Sequence, residues 1–354
     1  MKSFVDIAST LAGQPLPLGV RLGRVDIGRG REELHADQLP ELLRSLAEST
    51  RVASITASSA IEGVVVGDQR ARQILGAAAG TSRGFRSRNE RELAGYRDAI
   101  DEIMRAREPE PISVPLICHL HRQLFAHLPG GGGRLKSDDN VVVSYGGGRR
   151  TVLFTPTPWE ETPFQLRELC QRYEDAVAAE VAHPLFLIGL FVLDLLAIHP
   201  FADGNGSVAR MATTHLLLRA GYSVPRYVSV EQRVFETKNA YYAALRDSQR
   251  GWHEARHSPW PWIEYLIGVL ADAYDVFEQL VVTARSDGPI TTKQGRVRQY
   301  VLEFGPDDFA IADLRRALPG IGDQTFRIVL GALRDEGRVQ VDGTGRSARW
   351  ARIP

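Results

Sequence analysis

This chain has few cysteines, no excess of either charge and no long hydrophobic run. Its 354 residues include only two cysteines, Cys118 and Cys170, and no cysteine pair at metal-site spacing. A disulfide framework is therefore not expected, and a reducing cytoplasm is the expected compartment. Basic and acidic residues number 43 each. We therefore expect no global electrostatic attraction to nucleic acid or anionic membranes, although local patches can exist.

Segments typical of secretion or membrane insertion are also missing. Residues 1–13 have no sustained apolar core, which argues against a signal peptide. The most apolar run, residues 185–198, is too short to cross a bilayer and contains Asp194. We expect a buried helix there, with Pro184 at its first position, and no membrane contact.

The pattern of apolar residues predicts a mainly α-helical protein with one β-hairpin. Helical spacing is found at residues 41–62, 88–106 and 113–128, and Gly63 is a suitable helix stop. Between these helices and the buried one, the composition becomes rich in glycine and β-branched residues. Residues 141–144 and 151–154 predict two strands joined across residues 146–148.

A smaller domain is predicted at the C-terminus, after a linker at residues 285–289. Helical patterns at 293–303, 309–317 and 323–336 precede a strand–turn–strand pattern at 339–353. Three short helices and a hairpin predict a winged-helix (α+β) domain. The expected division is an N-terminal helical region at 1–85, a central domain at 86–285 and the winged-helix-like domain at 286–354.

The segment HPFADGNGSVAR at residues 199–210 is the strongest candidate for a functional site. It joins the buried helix to another helix that is expected to begin near Ser207. Gly204 and Gly206 permit unusual backbone angles and the close approach of a ligand. The first turn of a helix has unpaired N–H groups and a dipole that favours anions. The segment therefore predicts a phosphate-binding cradle that lacks the Walker A pattern.

Three ionisable residues of this segment indicate a chemistry. Arg210, early in a helix, lies at the unfavourable end of the helix dipole unless an anion binds there. Asp203 beside a phosphate suggests a cation between them, and Mg²⁺ commonly binds one or two carboxylates together with phosphates. His199 can accept a proton near neutral pH. The set predicts that a hydroxyl is deprotonated and attacks phosphorus. A helix stop followed by an ordinary turn is the alternative interpretation.

These residues resemble the motif of the Fic family, HPFx(D/E)GNGRxxR. Eight of the nine specified positions match, and the exception is Ser207, where the family usually has an arginine. The resemblance covers most of residues 40–275. It implies a Fic-type helical fold in which the β-hairpin is a flap. It also implies protein adenylyltransferase activity, in which AMP moves from ATP to a hydroxyl group of a protein target.

The resemblance further implies a role for each matching residue. His199 would be the general base, Asp203 would hold Mg²⁺, and Arg210 would contact the terminal phosphates. Because Ser207 carries no charge, weaker ATP binding, a different nucleotide or slow turnover would each be consistent with it. The implied nucleotide-binding residues besides Arg210 are Gly204, Asn205, Gly206, Ser207, Tyr241 and Tyr242.

The hairpin would bind the protein target, according to the same resemblance. A segment of the target would add to it as a further strand, and backbone pairing would align the hydroxyl. A surface hairpin without a partner is the alternative. The implied flap residues are Val141, Val142, Val143, Thr151, Val152, Leu153 and Phe154.

The stretch SSAIEG at residues 58–63 resembles the inhibitory motif of this family, (S/T)xxxE(G/N), through Ser58, Glu62 and Gly63. Ser58 and Glu62 are four residues apart and therefore share one helix face. Glu62 is expected in a last helical turn, where the dipole disfavours an acid. The resemblance implies Arg210 as its partner, so that Glu62 occupies the place of the terminal phosphate. A solvated helix end is the alternative.

Three functions remain open. The leading hypothesis is an autoinhibited adenylyltransferase that modifies a protein target and itself. The second is removal of AMP from a modified protein, with Glu62 orienting water. The third is a nucleotide-sensing DNA-binding regulator with a weakened Fic site. Its recognition helix would lie near residues 323–334, with contacts from Arg327, Arg334, Arg346 and Arg349. Residues 290–354 contain 11 basic and 8 acidic residues, a modest excess. A homodimer through the N-terminal helices is a further expectation from the family.

Overall fold

The computed structural model describes residues 2–77, 84–146, 149–286, 293–304, 306–318, 321–343 and 348–353. The chain divides into two compact units, one of residues 1–34 and 46–277 and the other of residues 35–45 and 278–354. The division into three domains stays a prediction. Among the described residues, no helix combines the length and hydropathy that a membrane span requires.

Helices dominate the described chain, as predicted. The helices are α1 Ile7–Ala12, α2 Leu16–Gln38, α3 Pro40–Ile61, α4 Asp68–Leu75, α5 Arg88–Arg105, α6 Val114–Leu124, α7 Thr162–Ala178, α8 Pro184–Ile198, α9 Asn205–Arg219, α10 Val230–Glu236, α11 Lys238–Gln249, α12 Trp260–Ser286, α13 Lys293–Gln299, α14 Ile311–Ala317 and α15 Asp323–Asp335. The strands are β1 Val142–Gly146, β2 Arg149–Phe154, β3 Asp308–Ala310, β4 Val339–Asp342 and β5 Arg349–Arg352.

Helix α8 lies at the centre of the first unit because it is apolar on every side. All of its residues after Pro184 are buried, and α7 and α9 pack against it. Asp194 is its one charged residue. The Asp194 carboxylate accepts hydrogen bonds from the Ser3 hydroxyl and from the Trp252 indole, each at 2.6 Å. Both of these bonds go to Oδ1, and Ser3 N donates to Oδ2 at 3.1 Å. Burial raises the pKa of Asp194, and the three donors satisfy both oxygens.

Helices α5 and α6 approach each other closely because Gly95 has no side chain. A Cβ atom at this position would overlap the carbonyl oxygen of Leu124. Helix α6 ends at Leu124, four residues before the predicted end. The chain reaches Pro129 shortly afterwards, and the residue before a proline is disfavoured in helical conformation.

Strands β1 and β2 pair antiparallel and form the predicted hairpin. The register places Val143 opposite Val152 and is shifted between Val142 and Val143. Two of the residues that join the strands, 147 and 148, lie outside the described residues.

The second unit contains α13–α15 and a three-stranded antiparallel sheet in the order β3-β5-β4. Residues 309 and 310 were expected to begin a helix, but they belong to strand β3. Phe309 pairs with Trp350 across the sheet and is fully buried in the apolar core of the unit, which explains the difference. The winged-helix assignment stays a prediction. Most of the predicted linker, residues 287–289, and Arg346 lie outside the described residues.

Candidate active site

The loop between α8 and α9 is held in one shape by its own residues. His199 ends α8 in the left-handed conformation, with φ of 52°, and Gly204 begins α9 with φ of 76°. The buried side chain of Asn205 binds the backbone of Phe201 twice: its Oδ1 accepts from Phe201 N at 2.9 Å, and its Nδ2 donates to Phe201 O at 2.7 Å. The Asn205 side chain therefore closes the loop, and only its backbone N–H is left to the first turn of α9.

Two residues that sequence analysis missed support this loop from the neighbouring segment. The Lys136 ammonium donates to the carbonyl oxygens of Ile198 and Thr157, at 3.1 and 2.6 Å. The Asn140 amide donates to Phe201 O at 2.9 Å. Burial lowers the pKa of Lys136 to about 8. No sequence motif marked either residue, because their partners lie about 60 residues further along the chain.

A third missed residue, His121, lies beneath the loop. Its ring is stacked on the buried Phe201 with 3.8 Å between ring centroids. Its Nδ1 accepts from Gly133 N at 2.7 Å, so Nε2 carries the proton and donates to Asp203 O at 3.1 Å. Burial lowers the pKa of His121 to about 4. His121 therefore fixes the backbone on which the Asp203 side chain stands.

One hydrogen bond assigns the tautomer of His199. Its Nδ1 lies 3.2 Å from the carbonyl oxygen of Leu196. Because a carbonyl only accepts hydrogen bonds, Nδ1 carries the proton and Nε2 has the free lone pair. Burial lowers the pKa of His199 to about 4, with a smaller contribution from the charge of Lys136. The imidazole is therefore neutral at pH 7 and can accept a proton at Nε2.

Gly204 and Gly206 stand where a side chain would collide with neighbouring residues. A Cβ atom on Gly204 would lie 2.8 Å from the ring of Phe125, and its φ is in the region that favours glycine. A Cβ atom on Gly206 would overlap the Glu62 carboxylate. The first turn of α9 is thus open to an approaching group, and Glu62 is the group that approaches it.

Arg210 is buried in the first unit and held by three residues. Its Nε donates to the Ser58 hydroxyl at 2.7 Å, and its Nη2 donates to Ser58 O at 3.1 Å. The same Nη2 lies 2.8 Å from Glu62 Oε1 and 3.3 Å from Ser207 Oγ. Burial lowers the pKa of Arg210, but the charge of Glu62 and nearby tyrosines outweigh burial and raise it. Nη1 is buried and has no hydrogen-bond partner within the described residues.

The end of α3 places Glu62 in front of Arg210. Gly63 has φ of 79°, and Val64 N and Gly63 N donate back to Ser59 O and Ala60 O at 2.9 and 3.1 Å. This pair of bonds is a Schellman motif, in which Gly63 occupies the C′ position and Glu62 the C-cap. Glu62 therefore lies one residue beyond α3 rather than in its last turn. The structure brings Ser58, Glu62 and Arg210 together.

A cavity of about 320 Å³ lies against this cluster. Its walls include Glu62, Asp203, Gly204 and Ser207. His199 is not among the residues that line it, although the charges of Glu62 and Asp203 act on its ring. The cavity is large enough for a polyphosphate, whose negative charge the first turn of α9 would favour.

Asp203 is exposed, and its carboxylate has two partners. Oδ1 accepts from Gly204 N at 2.8 Å, and Oδ2 lies 2.7 Å from Nη2 of Arg88. No cluster of three or more His, Cys, Asp or Glu that could hold a metal is found in the described part of the chain. A single carboxylate suits Mg²⁺, which usually completes its shell with phosphate and water rather than with protein ligands.

The two tyrosines of the predicted nucleotide-binding set have different surroundings. Tyr241 is buried among Tyr265 and Trp262, and burial raises its pKa. Tyr242 is half-exposed, and Lys238 Nζ lies 5.9 Å from its ring centroid. Neither lines the 320 Å³ cavity. Tyr241 is therefore part of the core, and the role of both residues at a nucleotide base stays a prediction.

The hairpin offers apolar surface to solvent. Val141, Val152 and Leu153 are each 39% exposed or more. Phe154 is less exposed, and its ring is stacked on His253 with 5.5 Å between centroids. Val142, Val143 and Thr151 lie in the paired strands.

The predicted DNA-contacting residues of the second unit are largely engaged with acids. Arg334 lies 2.9 Å from Asp335, and Arg349 lies 2.8 Å from Asp308. Arg327 lies on α15, where the recognition helix was expected. These ion pairs reduce the charge available to a phosphate backbone, and DNA binding gains no support from them.

Comparison with known proteins finds similarity to one family in the central segment. The Fic/DOC family profile matches residues 111–217, which include the whole loop. The chain is 33% identical over 144 residues to "Protein adenylyltransferase Fic" of Drosophila willistoni, covering 40% of this chain and 25% of that protein. It is 26% identical over 225 residues to "Protein adenylyltransferase fic-1" of Caenorhabditis elegans, covering 62% and 41%. The chain thus spans between a quarter and about two fifths of the length of these relatives.

Solved structures show the same fold. A Fic family protein from Desulfovibrio desulfuricans G20 superposes with a TM-score of 0.59 at 22% identity, over 96% of this chain and 97% of that one. Fic-1 from C. elegans superposes with a TM-score of 0.56 at 20% identity, over 77% and 76%. The predicted mainly helical, Fic-type fold is confirmed.

Proposed function

We propose that this chain, which contains a Fic/DOC domain at residues 111–217, is an autoinhibited protein adenylyltransferase. The observation that carries the proposal is the ion pair of Glu62 with Arg210, at 2.8 Å, beside the first turn of α9. The names of the relatives support the transfer of AMP from ATP. The homodimer stays a prediction.

In the proposed reaction, His199 is the base. Its neutral Nε2 takes the proton of a hydroxyl on the target. The hydroxyl oxygen then forms a bond to the α-phosphorus of ATP, and the bond between that phosphorus and the bridging oxygen breaks, releasing pyrophosphate. The N–H groups in the first turn of α9 hold the phosphates while the charge shifts. Asp203 is the residue that would hold Mg²⁺, which neutralises phosphate charge when bound.

Inhibition follows from the position of the Glu62 carboxylate. This carboxylate pairs with the Arg210 guanidinium and fills the space in front of Gly206. A terminal phosphate would otherwise bind there. Two anions cannot share one buried guanidinium without strong repulsion. ATP binding therefore requires Glu62 to leave, and removing Glu62 should activate the enzyme.

We propose that Ser207 lowers the adenylyltransferase activity. Where the family motif has an arginine, this chain presents a hydroxyl that accepts a hydrogen bond from Arg210. A guanidinium would add charge against the triphosphate, and a hydroxyl does not. The proposed compartment is the cytoplasm, where ATP is abundant and where the free thiols of Cys118 and Cys170 stay reduced.

The test is AMP transfer by variants of Glu62 and His199. We expect Glu62→Gly to increase self-modification at least about tenfold over the natural sequence, because it frees Arg210 for a phosphate. Incorporation of labelled AMP and the mass of the intact protein measure it. Glu62→Gln, which removes the charge alone, should activate less, because the amide still fills the space.

Two controls accompany this test. Glu48→Gln changes an exposed glutamate of the same helix and should leave transfer unchanged. His199→Ala in the Glu62→Gly background should abolish transfer but retain ATP binding. Transfer that persists without His199 would remove it from the base role, and an inactive Glu62→Gly protein that still binds ATP would refute the proposed function.

A second candidate function is removal of AMP from a modified protein. Glu62 lines the same cavity as Asp203 and is 35% exposed, so its carboxylate can orient a water molecule there. Incubation of the natural sequence with an AMP-modified protein separates the two activities. Release of AMP that depends on Glu62 would favour removal, and no release would favour transfer.

A further inference from the structure

Arg88 lies in the candidate active site, although no motif marked it. It is the first residue of α5, and its Nη2 is 2.7 Å from Asp203 Oδ2, a contact between residues 115 positions apart. Arg88 also bonds Glu92, one turn further along α5. Its side chain is 61% exposed, so it can change its position without unpacking the core.

The charge of the cavity requires a cation. Among the described residues that line it, three are acidic, Glu62, Glu92 and Asp203, and Arg88 is the basic one. Even after Glu62 has left, a polyphosphate entering this cavity would meet the carboxylates of Glu92 and Asp203. Repulsion of that kind is relieved only by cations close to the phosphates.

The position of Arg88 in its helix also supports a role in binding an anion. A cation in the first turn of a helix opposes the helix dipole, which disfavours it by about 0.3–1 kcal/mol. The two acidic partners of Arg88 offset this cost in the structure. One of these partners, Asp203, is the residue proposed to hold a cation of its own when nucleotide is bound.

We propose that Arg88 supplies, from α5, the guanidinium that this chain lacks at position 207 of α9. Ser207 and Arg88 are both walls of the same cavity, so a guanidinium from either position reaches the same space. Without nucleotide, Arg88 neutralises Asp203. With ATP and Mg²⁺ bound, Asp203 would hold the metal, and Arg88, released from Asp203, would pair with the phosphates. This inference rests on the proposed binding of ATP and adds a phosphate-binding residue to it.

The test measures the Kd of ATP in magnesium buffer by calorimetry, in the Glu62→Gly background. Adding Arg88→Ala should raise the Kd of ATP about tenfold, the lower end of what a hydrogen bond to a charged group contributes. The Kd of adenosine, which has no phosphate, should change less than about twofold. Adding Ser207→Arg to this double variant should restore ATP binding, because it returns the guanidinium from the other wall.

Arg105→Ala is the matched control. Arg105 ends the same helix, is 66% exposed and is paired with Asp101. An unchanged Kd of ATP in the Arg88→Ala protein would overturn the inference. So would an equal loss of adenosine binding, an equal loss in the Arg105→Ala protein, or a failure of Ser207→Arg to restore binding.

The outcomes also separate this inference from the proposed function. If Glu62→Gly binds ATP through Arg88 but transfers no AMP, the inference stands and the adenylyltransferase proposal fails. If AMP is transferred and Arg88→Ala binds ATP normally, the adenylyltransferase proposal stands and the Arg88 inference fails. If Glu62→Gly binds no ATP at all, both fail.

Discussion

At the scale of single residues, the site depends on groups whose protonation is fixed by one neighbour each. The Leu196 carbonyl holds the proton of His199 on Nδ1, and Gly133 N holds the proton of His121 on Nε2. Both rings are neutral at pH 7 because burial lowers their pKa values to about 4. The left-handed backbone of His199 presents its ring at the end of α8.

The lowered pKa of His199 predicts an unusual pH dependence. A base works above its pKa, so self-modification by the Glu62→Gly protein should lose no base function between pH 8 and about 5. It should fall near pH 4, where His199 becomes protonated. Rates of AMP incorporation at fixed ATP and Mg²⁺ measure this. A decline centred near pH 6.5, the ordinary pKa of histidine, would contradict it.

Stability must be followed in the same experiment. A histidine whose pKa is lower in the folded state than in the unfolded chain contributes stability above about pH 6.5. That contribution is lost as the pH falls through the folded value of about 4. Circular dichroism at each pH distinguishes a protonated base from an unfolding protein.

The sequence was informative about the residues that stand close together in the chain. Residues 199–210 could be recognised as one loop because Asn205 and Phe201, or Asp203 and Gly204, interact within a few positions. Arg88 and Lys136 could not be recognised, because each reaches the loop from a distant segment and neither belongs to a motif. The role of Tyr241 at a nucleotide base stays a prediction, because its packing against Trp262 became visible only in the structure.

At the scale of elements, α5 carries Arg88 at its start and packs closely on α6. Gly95 permits this approach, since a Cβ atom there would overlap the carbonyl oxygen of Leu124. Helical periodicity predicted α5 within one residue of its observed end, but gave no sign of this contact. The strand at Phe309 was missed because it depends on pairing with Trp350 in a distant part of the chain.

Gly95→Ala should destabilise the first unit by about 1–3 kcal/mol, because the two helices must separate to accept the methyl group. Gly268→Ala in α12 is the matched control. A Cβ atom there is 3.9 Å from its nearest neighbour, Arg21 Nη1. Because alanine is the better helix former, Gly268→Ala should be neutral or stabilising by up to about 1 kcal/mol. Urea denaturation measures both, and equal effects would refute the packing argument.

At the scale of the whole molecule, the segment proposed to regulate the enzyme and the loop proposed to catalyse the reaction belong to one compact unit. The end of α3 and the beginning of α9 are about 150 residues apart in sequence, yet both lie in the unit of residues 46–277. The proposed inhibitory contact is therefore part of the native packing, and Ser58 and Arg210 are both buried within it. Sequence could predict the pairing only through the family resemblance, because no local pattern links the two segments.

The central claim is that Glu62 occupies the place of a phosphate at the first turn of α9. The most direct measurement is a crystal structure of the Glu62→Gly protein with Mg²⁺ and a non-hydrolysable ATP analogue. We predict that the terminal phosphates contact Arg210, that the N–H groups of the first turn of α9 hold the phosphate chain, and that His199 Nε2 faces the α-phosphorus. Phosphates bound away from α9, or a His199 ring turned away from them, would contradict the account.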